Sequence, residues 1–377
     1  MKIIQAYKSE NQDWHYYQEK DAMTNPLVLI FGNRHLLEKP EVIADIRKEF
    51  PYEHLVFGSS SGEILCCNVH DETISVTVIE FEKSSFIVER ENILDYGKNA
   101  NTLGEALYNK IPKTDLKHLF VLSEGSFVNG SSLINGLEAN IASNISITGG
   151  MCGDDARFEK TVASYKENPK VGEVILIGLY GDTLDISYSS FGGWVPFGPE
   201  RVITKSEGNV LYEIDGQPAL DLYKKYLGEK SNELPQASLL YPLNVTPENK
   251  NEPVVRTILN INDKDQSMIL AGDVPVNSKV QLMMASVDGI AQGAHKAACY
   301  AMDHRMTKPE LAIIVSCIGR KLVMSQRVEE ELEQVRDTIG QSIPMTGFYS
   351  YGEMAPFNGS QACELHNQTM TLTLISE

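Results

Sequence analysis

The sequence predicts an α/β fold with mixed α+β sheets, built from repeated strand-helix-strand units with added β-hairpins. One observation is a glycine turn that occurs three times, as Gly58-Ser-Ser-Ser-Gly-Glu63, Gly149-Gly-Met-Cys-Gly-Asp154 and Gly347-Phe-Tyr-Ser-Tyr-Gly-Glu353. Another is that an apolar run precedes each turn by about thirty residues, which suits one parallel crossover. The last is that the segment 70–79, His-Asp-Glu-Thr-Ile-Ser-Val-Thr-Val-Ile, is echoed at 366–375 as His-Asn-Gln-Thr-Met-Thr-Leu-Thr-Leu-Ile. These patterns indicate diverged copies of one module.

Each unit is predicted to contain a buried strand, a helix and a returning strand. The predicted first strands are 27–31, 119–123 and 311–315, and the returning strands of the first two units are 54–57 and 145–148. Pro40 fits the first turn of the helix in the first unit, and the second unit has a predicted helix over 130–143. In the third unit the apolar positions Val328, Leu332, Val335 and Ile339 share one helical face.

Hairpins and a second domain fill the rest of the chain. Strands are predicted at 75–81, 85–89, 174–180 and 184–191. The turn that contains Pro218 opens a helix that runs to 227, and the domain boundary is placed there, giving domains 1–214 and 215–377. The polar stretch 228–251 holds three prolines and is predicted as a surface excursion. A helix rich in small residues is predicted over 286–299.

Charge and composition exclude several classes of function. The formal net charge of −18 and the isoelectric point near 4.9 would repel nucleic acid and anionic lipid. No run approaches the roughly 18 apolar residues that cross a bilayer. The N-terminus reads as a first strand and lacks the apolar region of a signal peptide, so a soluble, cytoplasmic protein is expected. Six scattered cysteines are expected to be reduced, and no metal site is predicted.

The glycine turns are the predicted ligand site, because glycines after a strand free backbone N–H groups to face a ligand. A carboxylate directly after the glycines favours an amine over a phosphate. Tyrosines and a histidine beside the third turn add a flat wall and polar groups. The predicted ligand-binding residues are Gly58, Ser60, Gly62, Glu63, Gly149, Gly150, Cys152, Gly153, Asp154, Tyr349, Tyr351, Gly352, Glu353, His366 and Asn367. Each has an alternative interpretation. The acidic residues could cap the turn or helix that follows them, the tyrosines could lie at the edge of the core with their hydroxyls hydrogen-bonded, and His366 could be a structural residue of its strand.

Catalysis finds little support in the sequence. No G-x-S-x-G elbow surrounds Ser60, and no partner histidine for Cys152 can be identified. His295 and Cys299 lie four residues apart on one helical face, where their alanine neighbours favour core packing over catalysis or metal binding. A hydrolase-type enzyme is therefore the less favoured interpretation, and no catalytic residue is predicted.

Two segments resemble the FIST sensory family. The C-terminal segment is Tyr349-Ser-Tyr-Gly-Glu-Met-Ala-Pro356 with Cys363-Glu-Leu-His-Asn-Gln-Thr-Met-Thr371. The other is Gly192-Gly-Trp-Val-Pro-Phe-Gly-Pro199 followed by Asp215-Gly-Gln-Pro-Ala-Leu220, which resembles the junction between the family's N- and C-terminal domains.

The resemblance implies an intracellular small-ligand sensor for amino acids or their derivatives. It implies coupling to a kinase, a cyclase-like enzyme or a methyl-accepting module, and we expect that output to come from a separate partner protein. Some members resemble haem-binding nitric oxide sensors, for which this sequence offers His295, His304 and His366.

Overall fold

A computed structural model describes residues 1–248 and 252–377 of the chain. The first 110 residues form β1 Lys2–Ser9, β2 His15–Tyr16, β3 Leu27–Gly32, α1 Arg34–Leu37, α2 Pro40–Glu49, β4 His54–Ser59, β5 Glu63–Leu65, β6 Asn68–His70, β7 Thr73–Glu80, β8 Ser85–Asn92 and α3 Ala100–Lys110. The next segment forms β9 Leu116–Ser123, α4 Gly130–Glu138, β10 Ser146–Met151, β11 Ala163–Tyr165, β12 Glu173–Tyr180 and β13 Asp185–Phe191.

The second half of the chain adds a fourth sheet and the third repeated unit. It forms β14 Trp194–Glu207, β15 Val210–Ile214, β16 Gln217–Pro218, α5 Ala219–Leu227, β17 Leu243–Thr246, β18 Val254–Arg256, β19 Ile258–Asn262, β20 Ser267–Leu270, β21 Lys279–Ala285 and α6 Val287–Asp303. The chain then forms β22 Leu311–Cys317, α7 Ile318–Met324, α8 Glu329–Ile339, β23 Met345–Ser350, β24 Gly352–Pro356, β25 Cys363–His366 and β26 Met370–Ser376.

The predicted repeated units are confirmed. In each one a strand pairs in parallel with the strand that follows its helix, as in β3 with β4, β9 with β10 and β22 with β23. A later strand then returns antiparallel beside the first, as β7, β12 and β26 do. The fold is α/β with mixed sheets, as the sequence predicts.

The units exchange strands in a ring. After its second parallel strand, each unit sends a strand or hairpin into the sheet of another unit. Strand β5 of the first unit pairs with β23 of the third, β24 of the third pairs with β10 of the second, and β11 of the second pairs with β4 of the first. Each of the three sheets built on these units therefore contains strands from two units, and the three units form one assembly.

The two echoed histidine segments occupy equivalent places in this ring. Glu63 faces His70 across the β5–β6 hairpin, and Glu353 faces His366 across the β24–β25 hairpin. The matched register places the two segments in equivalent hairpins, as the sequence repeat predicts.

A shared apolar core lies between the three sheets. It contains Phe31 of the first unit, Phe120 of the second and Phe348 of the third, and the rings of Phe31 and Phe348 lie 4.7 Å apart. Separate clusters pack α3 and α4, α6 and α8, and α2 against the outer faces of the three sheets. Burying these apolar faces supplies the main stabilisation of the fold.

Several predicted elements differ from the structure. The helix predicted over 130–143 ends at Glu138, and the small-residue helix continues to Asp303. In the described part of the predicted surface excursion, residues 228–248, Leu239 and Val245 are buried, because 3₁₀ turns and β17 pack onto the fourth sheet. The excursion is therefore only partly a surface feature, and residues 249–251 lie outside the described part. The boundary between domains 1–214 and 215–377 stays a prediction.

Candidate ligand-binding cleft

The three glycine turns lie against one another where the strands are exchanged. The Ser61 N–H donates to the Tyr349 carbonyl at 2.9 Å, and the Tyr349 N–H donates to the Gly62 carbonyl at 2.8 Å. The Gly153 N–H donates to the Ser59 carbonyl at 3.0 Å. The backbone groups of these turns therefore bond to neighbouring turns.

The glycines are needed for close packing at this junction. A Cβ at Gly150 would lie 2.4 Å from the Val315 side chain, and one at Gly153 would lie 2.2 Å from Ser61 Oγ. No larger residue fits without displacing its neighbour. The other predicted glycines are also buried: Gly58, Gly62, Gly149 and Gly352. A Cβ at Gly149 would lie 2.0 Å from the Val121 carbonyl, whereas one at Gly352 would lie 3.2 Å from its nearest neighbour, a tight contact rather than a clash.

Glu63 is buried and fully engaged within its own unit. Its Oε1 accepts a hydrogen bond from Ser60 Oγ at 2.5 Å, and its Oε2 accepts bonds from the Thr73 hydroxyl at 2.5 Å and the Thr73 N–H at 3.3 Å. The carboxyl group therefore ties the turn to the start of β7.

Glu353 repeats this arrangement in the third unit. It accepts bonds from Ser350 Oγ at 2.6 Å and from the Thr369 hydroxyl and N–H at 3.0 and 3.1 Å. Burial raises the pKa of both Glu63 and Glu353 to about 8, while the hydrogen bonds act in the opposite direction. The two carboxyls stabilise equivalent turns in the interior.

Asp154, in the glycine turn of the second unit, faces arginines. Arg34 Nε and Arg157 Nη1 each lie 3.0 Å from its Oδ1. Arg157 Nη1 also lies 2.6 Å from Asp155 Oδ2. The charge of Asp154 is therefore compensated inside the protein, and this cluster fixes the start of the loop 154–160.

Tyr349 and Cys152 lie in the interior as well. The Tyr349 hydroxyl donates to Glu331 Oε1 at 2.5 Å, and Glu331 is paired with Arg320 at 2.8 Å. Burial raises the pKa of the Cys152 thiol, which suppresses the nucleophilic thiolate.

His366 and Asn367 lie behind the third turn. His366 Nε2 is 2.9 Å from the Ala355 carbonyl, and Asn367 Oδ1 accepts the Thr257 N–H at 3.4 Å. The ligand roles of these buried residues stay predictions. Among the predicted set, Tyr351 lines a cleft that is open to solvent.

That cleft has a volume of about 430 Å³ and lies beyond the carboxyl ends of β9 and β10. In open α/β sheets this edge is where ligands usually bind. Its walls come from the loop after β9, the loop after β10, Tyr351 and the β19–β20 region of the fourth sheet. The lining residues are Gly125, Ser126, Phe127, Val128, Asn129, Gly130, Met151, Phe158, Glu159, Asn209, Leu259, Asn260, Leu270, Ala271, Gly272 and Tyr351.

A buried carboxylate shapes the loop after β9. Glu124 is fully buried and accepts the N–H groups of Ser126 at 2.7 Å and Phe127 at 2.8 Å. A Cβ at Gly125 would lie 2.1 Å from the Cys152 carbonyl, so only glycine fits. The loop is thereby held in one conformation, with Phe127 left 42% exposed at the cleft.

The structure reveals a functional candidate that the sequence reasoning passed over. The segment Glu124-Gly-Ser-Phe-Val-Asn-Gly130 directly follows a predicted strand and opens α4, whose N-cap Asn129 accepts the Ser132 N–H. A glycine-bounded polar loop between a strand and a helix is itself a recognisable signal for a ligand loop.

A second cleft, of about 520 Å³, shares a wall with the first. Phe158, Leu259 and Asn260 line both clefts. The second cleft is mainly apolar, with contributions from Leu239 and Leu322, and it also presents Arg157. Phe158 therefore stands between a polar cleft and a more apolar one.

Tyr351 holds Phe158 in place. The two rings stack with centroids 4.4 Å apart and planes 18° from parallel. The Tyr351 hydroxyl accepts the Phe158 N–H at 3.0 Å and donates to the Asp155 carbonyl at 3.1 Å. Phe158 and Asp155 both have left-handed backbones, with φ of 54° and 50°, a conformation that costs energy in residues with a Cβ. The conformation of the loop 154–160 therefore depends on its contacts with Tyr351.

Histidines do not gather at either cleft. His304 is stacked on Tyr300, and His295 lies on α6 between Cys299 and Thr338. None of His295, His304 and His366 lines the two clefts, so these residues do not fit an axial haem ligand there. Across residues 1–248 and 252–377, no three metal-ligating side chains are grouped to hold an ion.

The architecture defines a class of α/β protein in which three strand-exchanged units adjoin an additional sheet and enclose a cleft with it. The chain belongs to the FIST family: residues 26–217 match the FIST N domain and residues 219–356 match the FIST C domain. FIST domains are sensory domains of signal transduction. In the described part of the chain, no helix has both the length and the apolar character needed to cross a membrane.

The chain is also similar to curated proteins of archaea and bacteria. It is 26% identical to uncharacterized protein MJ1623 of Methanocaldococcus jannaschii, over 50% of this chain and 38% of that protein. It is 23% identical to uncharacterized protein Rv0628c of Mycobacterium tuberculosis, over 54% of this chain and 55% of that protein. The matched segments thus span about half or less of those relatives.

Proposed function

We propose that the chain is a small-ligand sensor without turnover, and that the ligand binds in the 430 Å³ cleft. The observation that carries the proposal is that both family-matched segments contribute residues to this cleft. Gly125 and Phe158 lie in the segment matched to the FIST N domain, whereas Leu259 and Tyr351 lie in the segment matched to FIST C. A ligand that contacts both segments would change their relative packing.

The lining favours an amino compound, such as an amino acid or a derivative. Glu159 contributes a carboxylate to a wall that otherwise consists of neutral side chains. Phe127 and Phe158 add aromatic faces, which also attract ammonium groups. Asn129 and Asn260 offer amide groups to a polar or carboxylate end of the ligand. Arg157, in the neighbouring cleft, supports recognition of a longer zwitterion.

The proposed output is a change in the surface that a separate partner protein reads, for example a kinase or a cyclase-like enzyme in the cytoplasm. A ligand shifts such an equilibrium only by its difference in affinity for the two states. Asn129 Nδ2 lies 3.2 Å from Asp273 Oδ1 beside the cleft, and this contact joins the loop after β9 to the segment that follows β20. It is a suitable point for such a relay.

The experiment is a thermal-shift screen of the full chain against amino acids, polyamines and haem, followed by calorimetry with the compound that gives the largest shift. For an amine hit, Glu159→Gln should weaken binding by up to about fivefold, because an exposed charge pair contributes at most about 1 kcal/mol. Glu167→Gln is the matched control, since Glu167 is also an exposed, ion-paired carboxylate but does not line the cleft. A full screen without any shift, or equal affinity in the Glu159→Gln variant, contradicts the proposal.

A further inference from the structure

The second cleft, of about 520 Å³, differs from the proposed ligand cleft in the charge of its lining. Among the described residues that line it, Arg157 is the only one with a charged side chain. In the first cleft that place is taken by Glu159, which carries the opposite charge. Since a charged wall favours ligands of the opposite sign, the two cavities are expected to select different ligands.

The remaining walls of the second cleft are mainly apolar. Aliphatic or aromatic side chains come from Phe158, Leu239, Leu240, Leu259 and Leu322. The leucines lie on three separate segments, the 3₁₀ turn Gln236–Leu240, β19 and α7, so the cavity is a junction of elements and not one face of a helix. Leu322 is 39% exposed, and an apolar ligand that covers it would remove apolar surface from water.

Buried hydrogen bonds fix the wall that carries Leu239. The Leu239 carbonyl accepts a hydrogen bond from Gln368 Nε2 at 2.9 Å, and Gln368 is fully buried. The same amide nitrogen donates to Thr257 Oγ1 at 3.0 Å. Ser238 Oγ, in the same 3₁₀ turn, lies 2.7 Å from the Ile258 carbonyl oxygen. This wall is therefore held in place without a ligand, which lowers the entropy cost of binding one.

The guanidinium of Arg157 uses only one of its nitrogens for ion pairs. Arg157 Nη1 lies 3.0 Å from Asp154 Oδ1 and 2.6 Å from Asp155 Oδ2. Its Nε and Nη2 make no hydrogen bond to the residues that the structure describes. These two nitrogens form a side of the guanidinium that matches the two oxygens of a carboxylate. Arg34 Nε also lies 3.0 Å from Asp154 Oδ1, so that carboxylate does not depend on Arg157 alone.

We propose that the second cleft is a separate binding site for an apolar monocarboxylate with an aliphatic chain. The chain packs among the leucines and Phe158, and the carboxylate accepts hydrogen bonds from Nε and Nη2 of Arg157. A volume of about 520 Å³ lies within the usual range of small-ligand pockets. The site is distinct from the proposed amino-compound site, and a zwitterion long enough to reach Arg157 from the first cleft would displace its occupant.

The experiment is calorimetry of the full chain with octanoate, octan-1-ol and octylamine, which share one chain length and differ in charge. Octanoate should bind about fivefold more tightly than octan-1-ol, since a partly exposed ion pair changes affinity by up to about that factor. Octylamine should bind more weakly than octan-1-ol, because Arg157 repels its ammonium group. Equal affinity for octanoate and octylamine, or no detectable binding of octanoate, overturns the proposal.

A charge variant tests the role of Arg157. Arg157→Gln should remove the preference for octanoate over octan-1-ol, a ratio that a general loss of stability would not change. Arg90→Gln is the matched control, because the Arg90 side chain is 31% exposed against 33% for Arg157 and also pairs with a fully buried carboxylate, that of Glu173. Arg90 does not line the cleft, so its variant should keep the preference. An unchanged preference in Arg157→Gln contradicts the proposal.

A variant of the apolar wall tests the location of the site. Leu322→Glu changes a side chain that is already partly exposed, and it should weaken octanoate binding at least about fivefold through lost apolar contact and repulsion between carboxylates. Leu94→Glu, at a leucine that is 52% exposed outside the cleft, should keep the wild-type affinity. Phe127→Ala changes the first cleft alone, so retained octanoate affinity there separates this result from the proposed function. Wild-type octanoate affinity in Leu322→Glu would show that octanoate binds elsewhere.

Discussion

Tyr351 and Phe158 belong to different units of the fold, and the Tyr351 hydroxyl makes two hydrogen bonds to the loop that carries Phe158. It accepts the Phe158 N–H and donates to the Asp155 carbonyl. Their stacked rings form a wall of the proposed ligand cleft, and Phe158 also faces the second cleft. The position of one ring therefore determines the shape of two cavities.

Replacing Tyr351 by Phe should loosen the loop 154–160 while the ring stack is kept. The loss of two hydrogen bonds should lower the free energy of unfolding by about 1–2 kcal/mol in urea titrations. The Phe158 amide should also exchange its hydrogen faster. Tyr180→Phe is the control, because its hydroxyl donates to the Pro112 carbonyl far from the cleft. Equal exchange of the Phe158 amide in both variants would contradict this role of Tyr351.

The buried carboxyl of Glu63 should make stability depend on pH. Its pKa is about 8 in the folded protein, because burial disfavours the charged form, and lies near the ordinary value of 4.5 in the unfolded chain. The folded state therefore holds the proton more tightly, so this contribution is complete below pH 4.5 and is lost as the pH rises through about 8. Glu63→Gln mimics the protonated group, and it should reduce the loss of melting temperature between pH 5 and 8. Glu80→Gln, at the half-buried end of β7, serves as the control. A variant with the wild-type pH profile would refute this prediction.

The buried ion pair of Arg320 and Glu331 should be costly to break. Both side chains are fully buried, and Arg320→Met leaves the carboxylate of Glu331 without its cation. We expect a loss of about 3–5 kcal/mol in the free energy of unfolding. Arg327→Met removes a half-exposed arginine that pairs with Glu330, and it should cost far less stability, because solvent screens that pair. Similar losses in the two variants would show that burial does not govern these pairs.

Gly125→Ala should disturb the loop after β9. The added Cβ would lie 2.1 Å from the Cys152 carbonyl, and this backbone atom cannot move without shifting β10. We expect a loss of about 1–3 kcal/mol from such overpacking, measured by urea unfolding. At Gly192 a Cβ would have 3.4 Å to its nearest neighbour, so Gly192→Ala is the control with little change. Wild-type stability of Gly125→Ala would mean that the loop can adapt.

The sequence predicts the fold well because its signals are local. The crossover units follow from apolar runs and glycine turns, and the repeated His70 and His366 segments do lie in equivalent hairpins. The exchange of hairpins between units could not be predicted, because each edge strand has the same local pattern whichever sheet it joins. Pairing partners are decided by tertiary contacts.

The candidate site was harder to predict for a physical reason. Glycine and carboxylate residues after a strand suit a ligand turn, but they equally suit a crowded junction of backbones. At Gly150 the neighbouring Val315 side chain leaves no room for a Cβ, and at Glu63 the donors come from Ser60 and Thr73. Only three-dimensional packing distinguishes a ligand turn from a crowded junction. In this fold the glycine turns are crowded, and the loop that starts at Glu124 lines the cleft that is open to solvent.

The exchange of strands between units also determines which fragments of this protein can be expressed in soluble form. A fragment that stops after residue 217 would keep the β5–β6 hairpin but lack β23, and its β10 would lose β24. Such a fragment would expose the β5–β6 hairpin without its pairing partner and the edge of β10 without its neighbouring strand. Unpaired strand edges promote aggregation between copies. Expression of either half alone should therefore yield insoluble material, and co-expression of both halves is the route to a soluble split form.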